Sequence, residues 1–171
     1  MSSHIQIRPM TENDIDLIYK GLSDYDISKP RDYVKRCWEE NQRIERATLL
    51  SFYDGEFAGW GHVSYHSHYP YFSENGIPEI QNFDVIPPFR KRGIGSELIE
   101  ALEEIAFIHS NTIGIGFGLY ASYGTAQRLY IKRGFIPDGR GLMYNNVCVE
   151  PESHVRVDDD LALFLTKSKV R

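Results

Sequence analysis

Residues His4 to Pro9 (HIQIRP) alternate apolar and polar side chains, the two-residue period of a strand with one buried face. Thr11 follows as an N-cap, with Asp14 three positions on, close to a capping box. The spacing after it predicts a helix with Ile15, Leu17, Ile18 and Leu22 on its apolar face. Pro30 opens a second helix whose pattern would bury Tyr33, Val34, Cys37 and Trp38. Then the period changes. Residues 47–66 (ATLLSFYDGEFAGWGHVSYH) are two β-rich runs around Asp54-Gly55, a dipeptide favoured where a tight hairpin needs positive φ.

Residues His66 to Pro78 (HSHYPYFSENGIP) fit neither period and read as a loop rich in aromatics, Gly and Pro. A strand returns over Glu79 to Ile86 and ends at Pro87-Pro88, which cannot donate to a ladder. Leu98, Ile99, Leu102, Ile105 and Ala106 then recur at helical spacing through about His109. An apolar strand from Thr112 to Tyr120 follows, and then a helix bearing Ala126, Leu129 and Tyr130 that Gly134 stops. The tail reads as two strands joined by a polar, acidic loop, with Asp158, Asp159 and Asp160 as a solvated turn before the last one. Strand, two helices, three strands, helix, strand, helix and two strands make an α+β domain.

Composition narrows this picture little. A chain of 171 residues fits one domain with a continuous core. Its hydrophobic share of 42% and charged share of 25% are those of an ordinary globular protein. The formal net charge of −5 argues against nucleic acid or anionic membrane as a general partner. Cys37 and Cys148 stand far apart with no CxxC spacing, so neither a disulfide framework nor a zinc site is expected, and a reducing cytoplasm is the simplest location. The N-terminus lacks the cationic start and apolar run of a signal peptide, and no stretch is long and apolar enough for a membrane span.

Against that acidic background, residues 89–96 (FRKRGIGS) stand out: Arg90, Lys91 and Arg92 directly precede Gly93 and Gly95 at a strand-to-helix turn. Glycines there let backbone N–H groups approach an anion without interference from Cβ, and the helix dipole adds positive potential. The pattern is a phosphate cradle. It is not a P-loop, since no GxxxxGK[ST] is present, and it lacks the third glycine of a dinucleotide-binding turn. His62, Ser64, His66 and His68 occupy alternate positions, but no carboxylate or Cys cluster accompanies them. They read as surface or substrate-loop histidines, and no metal is expected.

VIPPFRKRGIGSELIEAL, residues 85–102, resembles motif A of the GCN5-related N-acetyltransferase (GNAT) superfamily, [RQ]-x-x-G-x-[GA], here Arg90, Gly93 and Gly95. AQRLYIKRGF, from Ala126 to Phe135, independently resembles that family's A-x-x-L-Y-x-x-x-G-F helix. The resemblance implies one GNAT domain over about residues 4–167. It also implies a mixed, mostly antiparallel sheet of about seven strands, with helices on both faces and a splayed central strand pair. It implies acetyl-CoA as co-substrate, its pyrophosphate on Arg90, Lys91, Arg92, Gly93, Ile94, Gly95 and Ser96 and its pantetheine along Asp84, Val85 and Ile86. One position departs from the family. Many members carry an Asn that contacts coenzyme A three residues before Ala126, where this chain has Tyr123.

The implied reaction moves an acetyl group to a primary amine, of a small molecule or a peptide, by direct attack in a ternary complex. Such an amine is protonated at neutral pH and needs a base or a water relay. Glu79 stands where the histone-acetylating members carry theirs, and Tyr130 matches the family's tyrosine acid. A backbone N–H near Val85 would polarise the thioester carbonyl. Two alternatives remain open at this stage: a non-catalytic acyl-CoA sensor, and a phosphate or nucleic-acid binder. The second fits poorly with Glu97, Glu100, Glu103 and Glu104, which make the following helix acidic. Exposed strand edges in the C-terminal half are compatible with a homodimer.

Overall fold

A computed structural model describes residues 4–170. Its elements are β1 (Ile5–Pro9), α1 (Ile15–Ser23), α2 (Arg31–Gln42), β2 (Arg46–Tyr53), β3 (Glu56–Ser64), α3 (Pro70–Glu74) and β4 (Glu79–Val85), followed by α4 (Ile94–His109), β5 (Thr112–Gly118), α5 (Gly124–Lys132), β6 (Ile136–Tyr144), β7 (Val147–Cys148) and β8 (Leu161–Ser168). The fold is α+β, with eight strands among the described residues where the sequence predicts about seven. Contacts divide the chain into two compact units, one running through Tyr65 and resuming over Ile80–Ala106, the other formed by His66–Glu79 and Phe107–Arg171.

In the first unit the strands run β1-β2-β3-β4, with β1/β2 and β2/β3 antiparallel. The predicted hairpin turn is present, with Asp54 at φ 49° and Gly55 at φ 85°. Leu50 and Trp60 are register partners on one sheet face, where they pack with Ile18 and Leu22 of α1 and with Val34 and Cys37 of α2. On the opposite face, a side chain at Gly61 would strike Leu102 of α4. Helices therefore cover both faces of this unit. Full burial of Ile18, Leu22, Leu50 and Trp60 contributes on the order of 2 kcal/mol each.

Three expectations need correction here. Leu17 is 40% exposed, because it follows Ile15 and precedes Ile18 on a helix whose buried stripe runs through Ile15, Ile18 and Leu22. Tyr33 and Trp38 are half-buried, leaving Val34 and Cys37 as the buried pair of α2. His62 is not a surface histidine. It is wholly buried on β3, where its Nδ1 meets Thr48 Oγ1 at 2.8 Å.

In the second unit the strand order is β5-β8-β6-β7, and each of these neighbours pairs antiparallel. The predicted loop over residues 66–78 contains α3, with Pro70 at its first turn and the Phe72 and Ser73 N–H groups donating to the Tyr69 carbonyl. Five residues with one buried side chain, Phe72, are too few to show a period. That side chain is held tightly, since a Cβ at Gly114 of β5 would lie 2.2 Å from its ring, and the Gly114 N–H donates to the Pro78 carbonyl at 2.9 Å. Tyr69, Phe72, Ile77, Met143 and Phe164 form the core around it.

The tail holds three strands rather than two. Asn145 and Asn146, at φ 47° and 62°, make the two-residue turn that returns β6 into β7. The Asp158 to Asp160 loop is tied down as well as solvated, because Tyr144 OH donates to Asp158 and both Tyr120 OH and Tyr123 OH donate to Asp159.

Candidate functional site

The turn after β4 is built by opposing backbone preferences. Ile86 still donates to the Ala58 carbonyl of β3, and the two prolines that follow close a 3-10 turn over Pro87–Phe89. Arg90 is extended, Lys91 is left-handed at φ 61°, Gly93 is left-handed at φ 83°, and α4 begins at Ile94. The first bond closing the helix runs from Glu97 N–H to the Gly93 carbonyl. Among the described residues, the amides of Lys91, Arg92, Gly93, Ile94, Gly95 and Ser96 have no hydrogen-bond partner. A row of orphan donors at the N-terminus of a 16-residue helix is the arrangement that holds a phosphate.

The flanking cations are placed rather than loose. Arg90 Nε donates to the Val85 carbonyl at 2.9 Å, folding the side chain back over the end of β4. The Arg92 guanidinium lies 4.9 Å from the centroid of Tyr53. Lys91 is exposed. A β-substituted residue in the left-handed region costs about 1 kcal/mol, and the sequence offers no sign that Lys91 adopts it.

Upstream in the same unit, Asp84 Oδ2 accepts from Trp60 Nε1 at 3.1 Å. Asn82 breaks the regular strand with φ 46°. Its amide is held on both sides, Oδ1 accepting from Lys29 Nζ at 3.0 Å and Nδ2 donating to Tyr33 OH at 2.5 Å. Burial pushes the Tyr33 phenol up to about 12, so it stays protonated. Lys29, Tyr33 and Asn82 are not among the residues expected from sequence. Their meeting depends on positions about 50 residues apart, which no local pattern records.

In the second unit Glu79 is 8% exposed, and its Oε2 accepts from Ser67 Oγ at 2.5 Å. Ser67 Oγ in turn accepts the Tyr69 N–H at 3.0 Å, so a local serine turn aims the hydroxyl at the carboxylate. Ser67 is not among the residues expected from sequence, because a serine in a loop carries no local sign of the bonds it makes. Tyr130 is 5% exposed on α5, with its ring between Phe117 and Phe135. Gly134, at φ 91°, follows the helix, and the Phe135 N–H donates to the Tyr130 carbonyl while the Gly134 N–H donates to the Ile131 carbonyl. This is a Schellman cap with its usual apolar contact, here between Tyr130 and Phe135. The L-Y-x-x-x-G-F spacing is thus a helix stop as well as a carrier of the tyrosine.

Tyr123 is half-buried, and its hydroxyl donates to Asp159 at 2.8 Å. Burial and that bond push its phenol well above the ordinary range. The proton is therefore committed to Asp159, and what the side chain offers a ligand is a lone pair and a ring edge. Among the described residues no three His, Cys, Asp or Glu side chains gather as a metal site requires. No helix is long and apolar enough to cross a membrane.

Residues 15–135 match the Acetyltransferase (GNAT) family, and the chain belongs to it. Solved structures share the fold at low sequence identity. The N-acetyltransferase from Staphylococcus aureus Mu50 is 20% identical, with a TM-score of 0.68 over 97% of this chain and 99% of that one. The structure of yncA from Salmonella typhimurium with its cofactor acetyl-CoA is 18% identical, with a TM-score of 0.68 over 97% and 94%. The ribosomal-protein-alanine N-acetyltransferase from Brucella melitensis is 18% identical, with a TM-score of 0.68 over 95% and 99%. No curated protein matches the chain.

Proposed function

We propose that residues 4–167 form one acetyltransferase domain that moves an acetyl group from acetyl-CoA to a primary amine, with both substrates bound together. The observation that carries this is the row of unpartnered amides from Lys91 to Ser96, on a left-handed glycine and next to three cations. These residues fit a pyrophosphate by donor count, charge and access. Similar structures include one with acetyl-CoA and one acting on a ribosomal protein, which supports an amine acceptor on a peptide or small molecule.

Bound acetyl-CoA supplies the thioester carbonyl carbon that the amine nitrogen attacks. Glu79 takes the proton that the amine must lose, directly or through one water, and Ser67 holds its carboxylate in one orientation. The backbone at Asp84, Val85 and Ile86 would hold the pantetheine, and an N–H near Val85 would polarise the carbonyl. As the C–N bond forms and the C–S bond breaks, the Tyr130 hydroxyl gives its proton to the departing sulfur. Arg90, Lys91 and Arg92 would neutralise the phosphates, and Tyr123 would meet the cofactor with its ring.

Calorimetric titration with acetyl-CoA of the native chain and of Gly93→Asp tests the reading. Micromolar binding that vanishes in the variant, followed by amine-dependent thiol release, is expected. No binding by the native chain overturns it. Binding without release for any amine leaves a sensor instead of an enzyme.

A further inference from the structure

The segment before β4 and the strand β6 are joined by contacts that proton transfer does not require. Tyr69 OH donates to Asp138 Oδ2 at 2.7 Å, Asp138 Oδ1 accepts the Arg140 N–H at 3.0 Å, and the Arg140 guanidinium lies 3.6 Å from the centroid of Tyr71. Tyr69 is also the residue whose N–H bonds Ser67 Oγ, and Ser67 donates to Glu79. Arg140 is thus connected to Glu79 through Asp138, Tyr69 and Ser67, by way of the backbone N–H groups of Arg140 and Tyr69.

The backbone of β6 is distorted where it carries this arginine. Gly139 and Gly141 flank Arg140 at φ 81° and 76°, inside the interval where the register against β8 slips between Pro137 and Leu142. A bulge re-aims a side chain, and two left-handed glycines cost backbone entropy that the sheet itself does not need. The result is an exposed arginine whose guanidinium lies over the ring of Tyr71. Among the described residues it has no carboxylate partner. The carboxylate two positions away, Asp138, is already committed to Tyr69 and to the Arg140 backbone.

We propose that Arg140, held on Tyr71, selects the acceptor, and that it takes an amine whose neighbouring position carries a carboxylate. A stacked guanidinium is pre-oriented, so less rotamer freedom is lost when its fork engages two oxygens. The carboxylate is either the α-carboxylate of a free amino acid or the side chain of an acidic residue next to a peptide N-terminus. The proposal rests on the acetyltransferase reading above.

The test is acetyl-CoA-dependent thiol release by the full chain with matched acceptors. One pair is Ser-Glu-Ala-amide and Ser-Gln-Ala-amide, the other is free glutamate and its α-amide, with acetyl-CoA affinity measured separately by calorimetry. The expected result is kcat/KM about 10- to 100-fold higher for the carboxylate member of one pair, through KM. Which pair shows it identifies the source of the carboxylate. Arg140→Gln should erase the preference at unchanged cofactor affinity and unchanged kcat on the neutral member. Arg140→Lys should keep part of it, and Arg140→Glu should reverse it. An arginine that only braces β6 would change both members equally. Equal kcat/KM within both pairs, a preference that survives Arg140→Gln, or no turnover of any carboxylate member while acetyl-CoA binds overturns this inference alone. Loss of acetyl-CoA binding in the native chain overturns the acetyltransferase reading and takes this one with it.

Discussion

Between Ile86 and Ser96 the backbone presents the groups suited to a ligand, whereas between His66 and Glu79 the side chains do so, each held by another. The turn depends on Gly93 at φ 83°, on Lys91 at φ 61° and on amides that α4 leaves unpartnered. The segment depends on Ser67 bonding Glu79 and on Tyr69 bonding Asp138, the latter pair 69 positions apart. Backbone recognition tolerates exchange of most side chains but demands glycine where φ is positive. Side-chain recognition has no such local requirement. The first kind should therefore control cofactor affinity, and the second should control turnover and choice of acceptor.

The largest effect that would break this division is at Glu79, the proposed base. Glu79→Gln keeps the shape and the Ser67 contact but cannot accept a proton, so kcat should fall about 10²- to 10⁴-fold. Acetyl-CoA affinity by calorimetry should stay within about twofold of native. A variant that lost cofactor binding to the same degree would show that Glu79 supports the fold around it rather than the chemistry.

Next is the reciprocal change in the turn. Gly93→Asp places a Cβ at φ 83° and a negative charge among the amides, and should weaken acetyl-CoA binding by more than about 100-fold. A Cβ there meets nothing closer than Ile5 Cδ1 at 4.0 Å, so the cost to stability should be confined to the backbone strain of a non-glycine residue at positive φ, about 1 kcal/mol. Smaller again is Ser67→Ala, which removes one hydrogen bond to Glu79 and should lower kcat about 10-fold with cofactor affinity unchanged. The pH dependence of kcat is the sharper readout, since a purely structural serine would leave its position unmoved.

The same contrast explains what could be read from the chain. Asp54-Gly55 and the Arg90 to Gly95 run announce themselves because left-handed backbone restricts residue type at a fixed spacing. Asn145-Asn146 makes the same kind of turn but lies inside a polar tail, where two asparagines look like more loop. α3 has a single buried residue, Phe72, and its position is set by Gly114 of another strand rather than by its own pattern. Lys91 adopts positive φ against its propensity, and Asn82, a residue that tolerates it, does so inside a strand, so the surrounding fold rather than a local turn pattern sets both. Counting from the motifs reaches Glu79 and Tyr130 as candidates, while the contacts of Ser67, Asp138 and Arg140 are set by the fold.

The smallest effect separates the chemistry from the scaffold in the same pH range. His62 is wholly buried, its Nε2 has no partner among the described residues, and burial together with the positive charges of Arg46 and Lys29 holds its pKa well below the usual value. In the unfolded chain this histidine takes up a proton below about pH 6.5, while in the native state it stays neutral. The unfolded state then binds more protons, so stability should be constant above that pH and fall below it, by at most about 1.4 kcal/mol per pH unit. Denaturant titrations at pH 7.5 and 5.5 should differ by about 1 kcal/mol from this group. His62→Phe keeps the ring but loses the Thr48 bond, costing about 1 kcal/mol at pH 7.5, and it should remove that part of the acid-side loss. The proposed proton transfer to Glu79 predicts an acid loss of turnover as well, and the two causes are distinguishable. If acid loss of activity persists in His62→Phe while acid loss of stability is reduced, the activity limb belongs to proton transfer. If both disappear together, the acid limb reports the buried histidine of the scaffold, and the division between backbone and side-chain control does not extend to pH.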